Sequence, residues 1–110
     1  EDVSAQIKTL LANYNAISNK TVEDVIGFHR EFECIHPFQD GNGRVGRLIM
    51  FKECLSNNIV PFIIDEDLKW FYYRGLQEWD RAHEYLVDTC LTAQDKFKTM
   101  LQYFKISYNN

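Results

Sequence analysis

Glycine and proline are scarce in this chain and unevenly placed. Of its five glycines and two prolines in 110 residues, three glycines and one proline fall between Pro37 and Gly46. Elsewhere little interrupts a helix. Val3, Ile7, Leu10, Leu11 and Tyr14 recur at helical spacing, and the polar stretch from Asn13 to Lys20 reads as a turn. Thr21 is a good N-cap for a second helix, with Asp24 three residues on. Val22, Val25, Ile26, Phe32 and Ile35 give that helix a broad apolar face, and Pro37 ends it, because a residue before proline leaves the α region. A third helix is predicted from Gly43 to about Ser56, a fourth over about Asp67 to Asp80, and a fifth over about Tyr85 to Phe104. Ile59 to Ile64 is the only strand-like run, and Pro61 breaks it. The reading is an all-α bundle, one domain over residues 1–110, with its most unusual loop between two central helices.

The charge and cysteine pattern narrow the function. A net charge of −4 without a lysine or arginine run argues against a nucleic-acid footprint. Cys34, Cys54 and Cys90 are widely spaced, form no C-x-x-C pair and sit in apolar helical contexts. They read as reduced core thiols, which fits a cytoplasmic setting. No signal peptide and no apolar run of about 18 residues is visible, so no membrane partner is expected. The first residue is not methionine, so the chain reads as the core portion of a longer polypeptide.

The chemistry concentrates in His36-Pro37-Phe38-Gln39-Asp40-Gly41-Asn42-Gly43-Arg44-Val45-Gly46-Arg47. Gly41 and Gly43 allow backbone angles that let successive N–H groups converge on an anion. The helix that follows adds unpaired N–H groups and a partial positive charge. Arg44 and Arg47 lie in its first turns, where cations oppose the macrodipole at a cost of a few tenths to ~1 kcal/mol each. Gly46 inside the helix costs about 1 kcal/mol more than alanine. Several local rules broken in one place mark a functional site, and a bound polyphosphate would relieve the conflict. His36, at the end of the preceding helix, faces this loop, and a neutral imidazole there is a competent general base. Asp40 offers the hard oxygen that Mg²⁺ takes alongside phosphate oxygens. Phe38 reads as an apolar anchor.

Three other motifs fail. Gly41, Gly43 and Gly46 have dinucleotide-fingerprint spacing, with Asp65 about 20 residues on, but the preceding segment is helical rather than a strand. An EF-hand starting at Asp40 would put Phe51 where glutamate is required. A Walker loop lacks its Gly-Lys-Ser/Thr.

At these residues the chain resembles the Fic family, whose core motif reads H-P-F-x-[D/E]-G-N-[G/K]-R-x-x-R; every specified position is matched. Phe28-His29-Arg30-Glu31-Phe32-Glu33 looks like the family's approach helix, and Leu48 to Ile64 and Tyr72-Tyr73-Arg74-Gly75-Leu76 look like its following segments. The resemblance implies a Fic-type helical bundle and transfer of AMP from ATP to a serine, threonine or tyrosine hydroxyl of a target protein, releasing pyrophosphate. It implies that His36 takes the hydroxyl proton and that Asp40 holds Mg²⁺ between phosphates. Gly41, Asn42 and Gly43 would then cradle the α- and β-phosphates, Arg44 steady the departing phosphates and Arg47 reach the γ-phosphate. The Doc branch carries lysine where Gly43 stands and phosphorylates its targets, so glycine favours adenylylation. Two family parts are not visible in the sequence: a β-hairpin flap in Glu1 to Lys20, and an inhibitory helix of pattern [S/T]-x-x-x-E-[G/N]. Inhibition would then come from an inhibitory helix in cis outside this sequence or from an antitoxin-like partner. The alternatives are a catalytically silent nucleotide-binding or interaction module, and Fic relatives that remove AMP or phosphorylate.

Other residues have plainer readings. His29, on the apolar face of its helix, reads as a hydrogen-bonded core group. Trp70, Phe71, Tyr72 and Tyr73 read mostly as core, with Tyr72 and Tyr73 also candidates to flank the adenine. His83 reads as exposed in a turn and Trp79 as packing. Arg30, Arg74 and Arg81 read as surface groups, Glu66 and Asp67 as serving a helix start, and the last helix as packing on the domain through Leu86, Leu91, Phe97, Leu101 and Phe104.

Overall fold

A computed structural model of the chain describes residues 2–36 and 41–108. It contains five helices: α1 (Val3–Asn15), α2 (Val22–Ile35), α3 (Asn42–Ser56), α4 (Lys69–Gln77) and α5 (Glu84–Tyr103). No strand occurs among the described residues, so the fold is all-α.

Helix α2 is the hub, packing against α1, α3 and α5. Its start is fixed by a full capping box. The Thr21 hydroxyl accepts from the Asp24 N–H, and the Asp24 carboxylate accepts from the Thr21 N–H. Val25 and Ile26 are wholly buried, and they meet Met50 and Cys54 of α3 and Leu86, Cys90 and Ala93 of α5 in one core. Burial of each such large side chain is worth about 1.5–3 kcal/mol, so the α2 stripe holds the bundle together. Helix α1 is capped by Asp2, which accepts from the Ala5 N–H at 2.7 Å. It is tied to α3 by Tyr14, whose hydroxyl donates to Glu53 Oε1 at 2.8 Å.

The run from Ile59 to Ile64 forms no strand. Val60, Pro61 and Phe62 are buried in an extended connection, and Gln94 of α5 donates to the Val60 carbonyl at 2.8 Å. The apolar residues are used; the ladder is not.

Helix α4 is shorter than its apolar pattern suggests, and its start carries no side-chain cap. Asp65, rather than Glu66 or Asp67, accepts from the Leu68 N–H at 3.1 Å and also pairs with Lys96 of α5 at 3.0 Å. Trp70, Phe71 and Tyr73 are exposed, against the core reading. Helix α4 packs mainly on α5, and Leu68, Tyr72 and Gly75, spaced by four and three residues, are the buried positions here. Gly75 permits that approach: a Cβ there would sit 2.6 Å from Cα of Leu86. Cys34 is exposed as well, because it falls off the buried stripe of α2, whereas Cys54 and Cys90 are core thiols pushed up to about 12 by burial. Arg30 is a bridge between elements: it pairs with Asp80 at 3.3 Å and donates to the Leu76 carbonyl at 3.4 Å. Phe104 is exposed, so the apolar face of α5 ends before its last turn. No helix among the described residues is long and apolar enough to cross a membrane.

Candidate functional site

The end of α2 and the beginning of α3 bring most of the motif to one end of the bundle. Helix α2 stops at Ile35, and His36 caps it in the left-handed region, with φ 50° and ψ 63°. Its N–H still donates to the Phe32 carbonyl at 3.3 Å, and its side chain is exposed. A left-handed non-glycine residue costs about 1–3 kcal/mol and persists only where its surroundings demand it. Here Pro37, next in sequence, disfavours the right-handed alternative. Residues Pro37, Phe38, Gln39 and Asp40 lie outside the described residues.

Helix α3 then opens on Gly41, at φ 74°, a conformation that L side chains resist. Gly41 contributes no side-chain cap; its carbonyl accepts the first helical bond, from Val45 N–H at 2.9 Å. Asn42 is buried. The two arginines fold back over this first turn. A Cβ built on Gly41 would lie 3.8 Å from Nη2 of Arg44, and one on Gly43 would lie 3.0 Å from Nη1 of Arg47. Two guanidinium groups therefore flank the glycines at a helix N-terminus, a disposition suited to an anion.

Beneath this surface the contact between α2 and α3 is polar. Gly46 has a packing reason that its helical position did not reveal: a Cβ there would collide with Glu33 Oε2 and sit 3.2 Å from Cε1 of His29. His29 is 1% exposed. Its Nδ1 lies 3.1 Å from the Gly46 carbonyl, which can only accept, so Nδ1 carries the proton. Its Nε2 then accepts from the Tyr72 hydroxyl at 2.6 Å. Burial pushes His29 down to about 4, with Arg47 pushing the same way and the Gly46 bond opposing, so the ring is neutral.

Glu33, one turn further along α2, has Oε2 buried with no hydrogen-bond partner among the described residues. Burial raises its carboxyl above the usual range, while the charges of Arg47 and His36 pull it back. Sequence reasoning placed His29 correctly in the core and passed over Glu33. The signal was its spacing: four residues after His29 and three before His36, on one side of α2.

Tyr72 is 1% exposed, which corrects its reading as an adenine-flanking ring: it has no free face. Its ring lies under Arg47, whose Cζ is 5.8 Å from the centroid. Tyr73 is exposed, with its ring 5.8 Å from that of Trp70. No cluster of three or more His, Cys, Asp or Glu able to hold a metal occurs among the described residues.

A model of the Fic/DOC family matches residues 1–54, from the start of the chain through most of α3. Just under half of the chain, 54 of 110 residues, is thus similar to that family. A protein of Aquifex aeolicus named as a probable protein adenylyltransferase is 42% identical over 50 residues. That alignment covers 42% of this chain and 16% of the relative, so the chain spans well under a fifth of the length of the curated relative it matches. The Fic match takes in His36 and both arginines and stops short of α4 and α5.

Proposed function

We propose that the chain carries the chemistry of a protein adenylyltransferase, moving AMP from ATP to a side-chain hydroxyl of a target protein. The observation that carries the reading is the first turn of α3. Its backbone is opened by Gly41 and flanked by the guanidinium groups of Arg44 and Arg47, and it lies next in the bundle to the end of α2, where His36 is exposed. The Fic/DOC similarity of residues 1–54 and the name of the Aquifex relative support the same choice.

In this mechanism the triphosphate lies along the N-terminus of α3. Gly41, Asn42 and Gly43 offer backbone N–H groups to the α- and β-phosphates, and the positive end of the helix stabilises the charge. Arg44 steadies the departing phosphates and Arg47 reaches the γ-phosphate. The target hydroxyl oxygen attacks the α-phosphorus while His36 accepts its proton. A new phosphorus–oxygen bond forms, the bond from α-phosphorus to the α–β bridging oxygen breaks, and pyrophosphate leaves. Positioning and electrostatics do most of the work. Asp40 fits Mg²⁺ that arrives on the nucleotide, because one carboxylate beside phosphate oxygens is the usual donor set, in place of a cage of protein ligands. When bound, the ion would neutralise charge on the departing phosphates. Tyr73, exposed on α4 next to Tyr72, is the remaining aromatic candidate beside the adenine.

Transfer assays with ATP labelled at the α- or the γ-phosphate test the reading. The expected result is α-label on a protein hydroxyl, lost in His36→Ala. Label from the γ-position would make the protein a kinase instead, and tight nucleotide binding with no transfer under any condition would leave a silent module.

A further inference from the structure

A closed circuit of contacts runs through three helices beneath the candidate site. It leaves α3 at the Arg47 guanidinium, which stands over the ring of Tyr72 on α4 with Cζ 5.8 Å from the centroid. The Tyr72 hydroxyl donates to His29 Nε2 on α2 at 2.6 Å. His29 Nδ1–H donates to the Gly46 carbonyl at 3.1 Å, back on α3 and one residue from Arg47. The rings of His29 and Tyr72 are 5.7 Å apart, and both residues are 1% exposed.

We propose that Tyr72 and His29 are positioning residues that hold the Arg47 guanidinium against the first turn of α3. The role goes deeper into the adenylyltransferase reading and rests on it for the identity of the ligand. Three features support it. Arg47 begins and ends the circuit, so its flexible side chain is referenced to its own backbone by groups that cannot rotate away. The His29 ring is held in one tautomer, since a carbonyl on one side fixes which nitrogen must accept on the other. The positive charge of Arg47 also opposes the rise that burial imposes on the Tyr72 hydroxyl. A hydrocarbon pair would fill the same space with no desolvation cost, so two buried polar rings are an expensive way merely to pack. What they add is direction. The missing methyl at Gly46 is part of the arrangement, because a Cβ there would press on His29.

The test is a double-mutant cycle on the full chain, with Mg·ATP and AMP as the titrated ligands. Tyr72→Phe keeps the ring and removes the link. It is expected to weaken ATP about fivefold and to leave AMP within about twofold. In Arg47→Ala the further change Tyr72→Phe is expected to add nothing, because the group it positions is gone. Weakening of ATP and AMP alike by Tyr72→Phe, or full additivity with Arg47→Ala, would overturn the positioning role. A readout without nucleotide separates this from the functional reading. The Arg47 side-chain N–H signals should be sharp and slow to exchange in the parent and lost in Tyr72→Phe. If they are unchanged, the circuit does not hold Arg47, whatever the ligand. If they behave as expected but the parent binds ATP no better than AMP, the circuit stands and the polyphosphate reading of the site falls.

Discussion

Two helix contacts in this bundle both need a glycine and are chemically opposite. Where α4 crosses α5, Gly75 lets backbone approach backbone, and the group it meets is the apolar Leu86. Where α2 crosses α3, Gly46 makes room for side chains, and they are a histidine and a carboxylate. The first contact is a packing solution and gains what apolar burial gains. The second buries a neutral histidine and an unpartnered carboxyl oxygen, which stability alone does not call for. The polar crossing lies under the helix N-terminus flanked by two arginines; the apolar one lies outside the segment matched to the Fic/DOC family. Polarity at a close contact therefore separates site from scaffold better than glycine does.

The comparison can be broken, most forcibly at His36. His36→Ala should lower transfer by roughly 10²–10⁴-fold while the melting temperature stays put, since the side chain is exposed; a collapse of the fold instead would place His36 in the scaffold. Acid comes next. His29 has a folded value of about 4 against an ordinary 6.5, so its contribution is present in full above about pH 6.5 and is lost as pH falls toward 4. Integrated over that window the loss is about 3 kcal/mol. Glu33 runs in the opposite sense: its raised value favours the fold at low pH and that contribution disappears as pH rises through it. Urea titrations between pH 4 and 7 should show the net loss on acidification, and His29→Gln should flatten it.

The two glycines sharpen the contrast. Gly75→Ala meets the Leu86 backbone, which cannot step aside, and should cost about 2–3 kcal/mol. Gly46→Ala meets the Glu33 side chain first and should cost about 1–2 kcal/mol, with a disproportionate loss of transfer as His29 shifts. The reverse ranking in chemical denaturation would undo the distinction drawn between the crossings. Smallest is the thiol response. Cys34 alone should take up a thiol reagent in the native state, and slowly, because burial raises it; Cys54 and Cys90 should react only on unfolding.

Much of the architecture was legible in the residues. The Thr21–Asp24 box, the stop before Pro37 and the apolar period of α2 are local signals, and local signals survive folding. The motif from His36 to Arg47 was legible because it breaks local rules. What stayed hidden depends on neighbours. Trp70, Phe71 and Tyr73 are exposed because α5, the main neighbour of α4, meets the side that carries Tyr72 and Gly75, a fact no stretch of α4 encodes. Asp65 caps its turn from a tertiary position shared with Lys96. Tyr72, read mostly as core and also as a candidate beside the adenine, is fully buried and bonded to His29 of another helix, a partner its own segment does not reveal. Glu33 was hidden for a similar reason: its significance comes from the gap at Gly46, thirteen residues away on another helix.

His29, Glu33 and His36 are strung along one helix at intervals of four and three, each about 1.5 Å per residue further along the axis. Their register is consequently rigid in a way the loops are not. A single inserted residue between positions 29 and 36 would turn everything after it by about 100° and carry His36 away from the arginines. An insertion in the turn at residues 16–20 would leave that spacing untouched. Length change in the second half of α2 therefore strikes the site directly, where the same change in the turn does not.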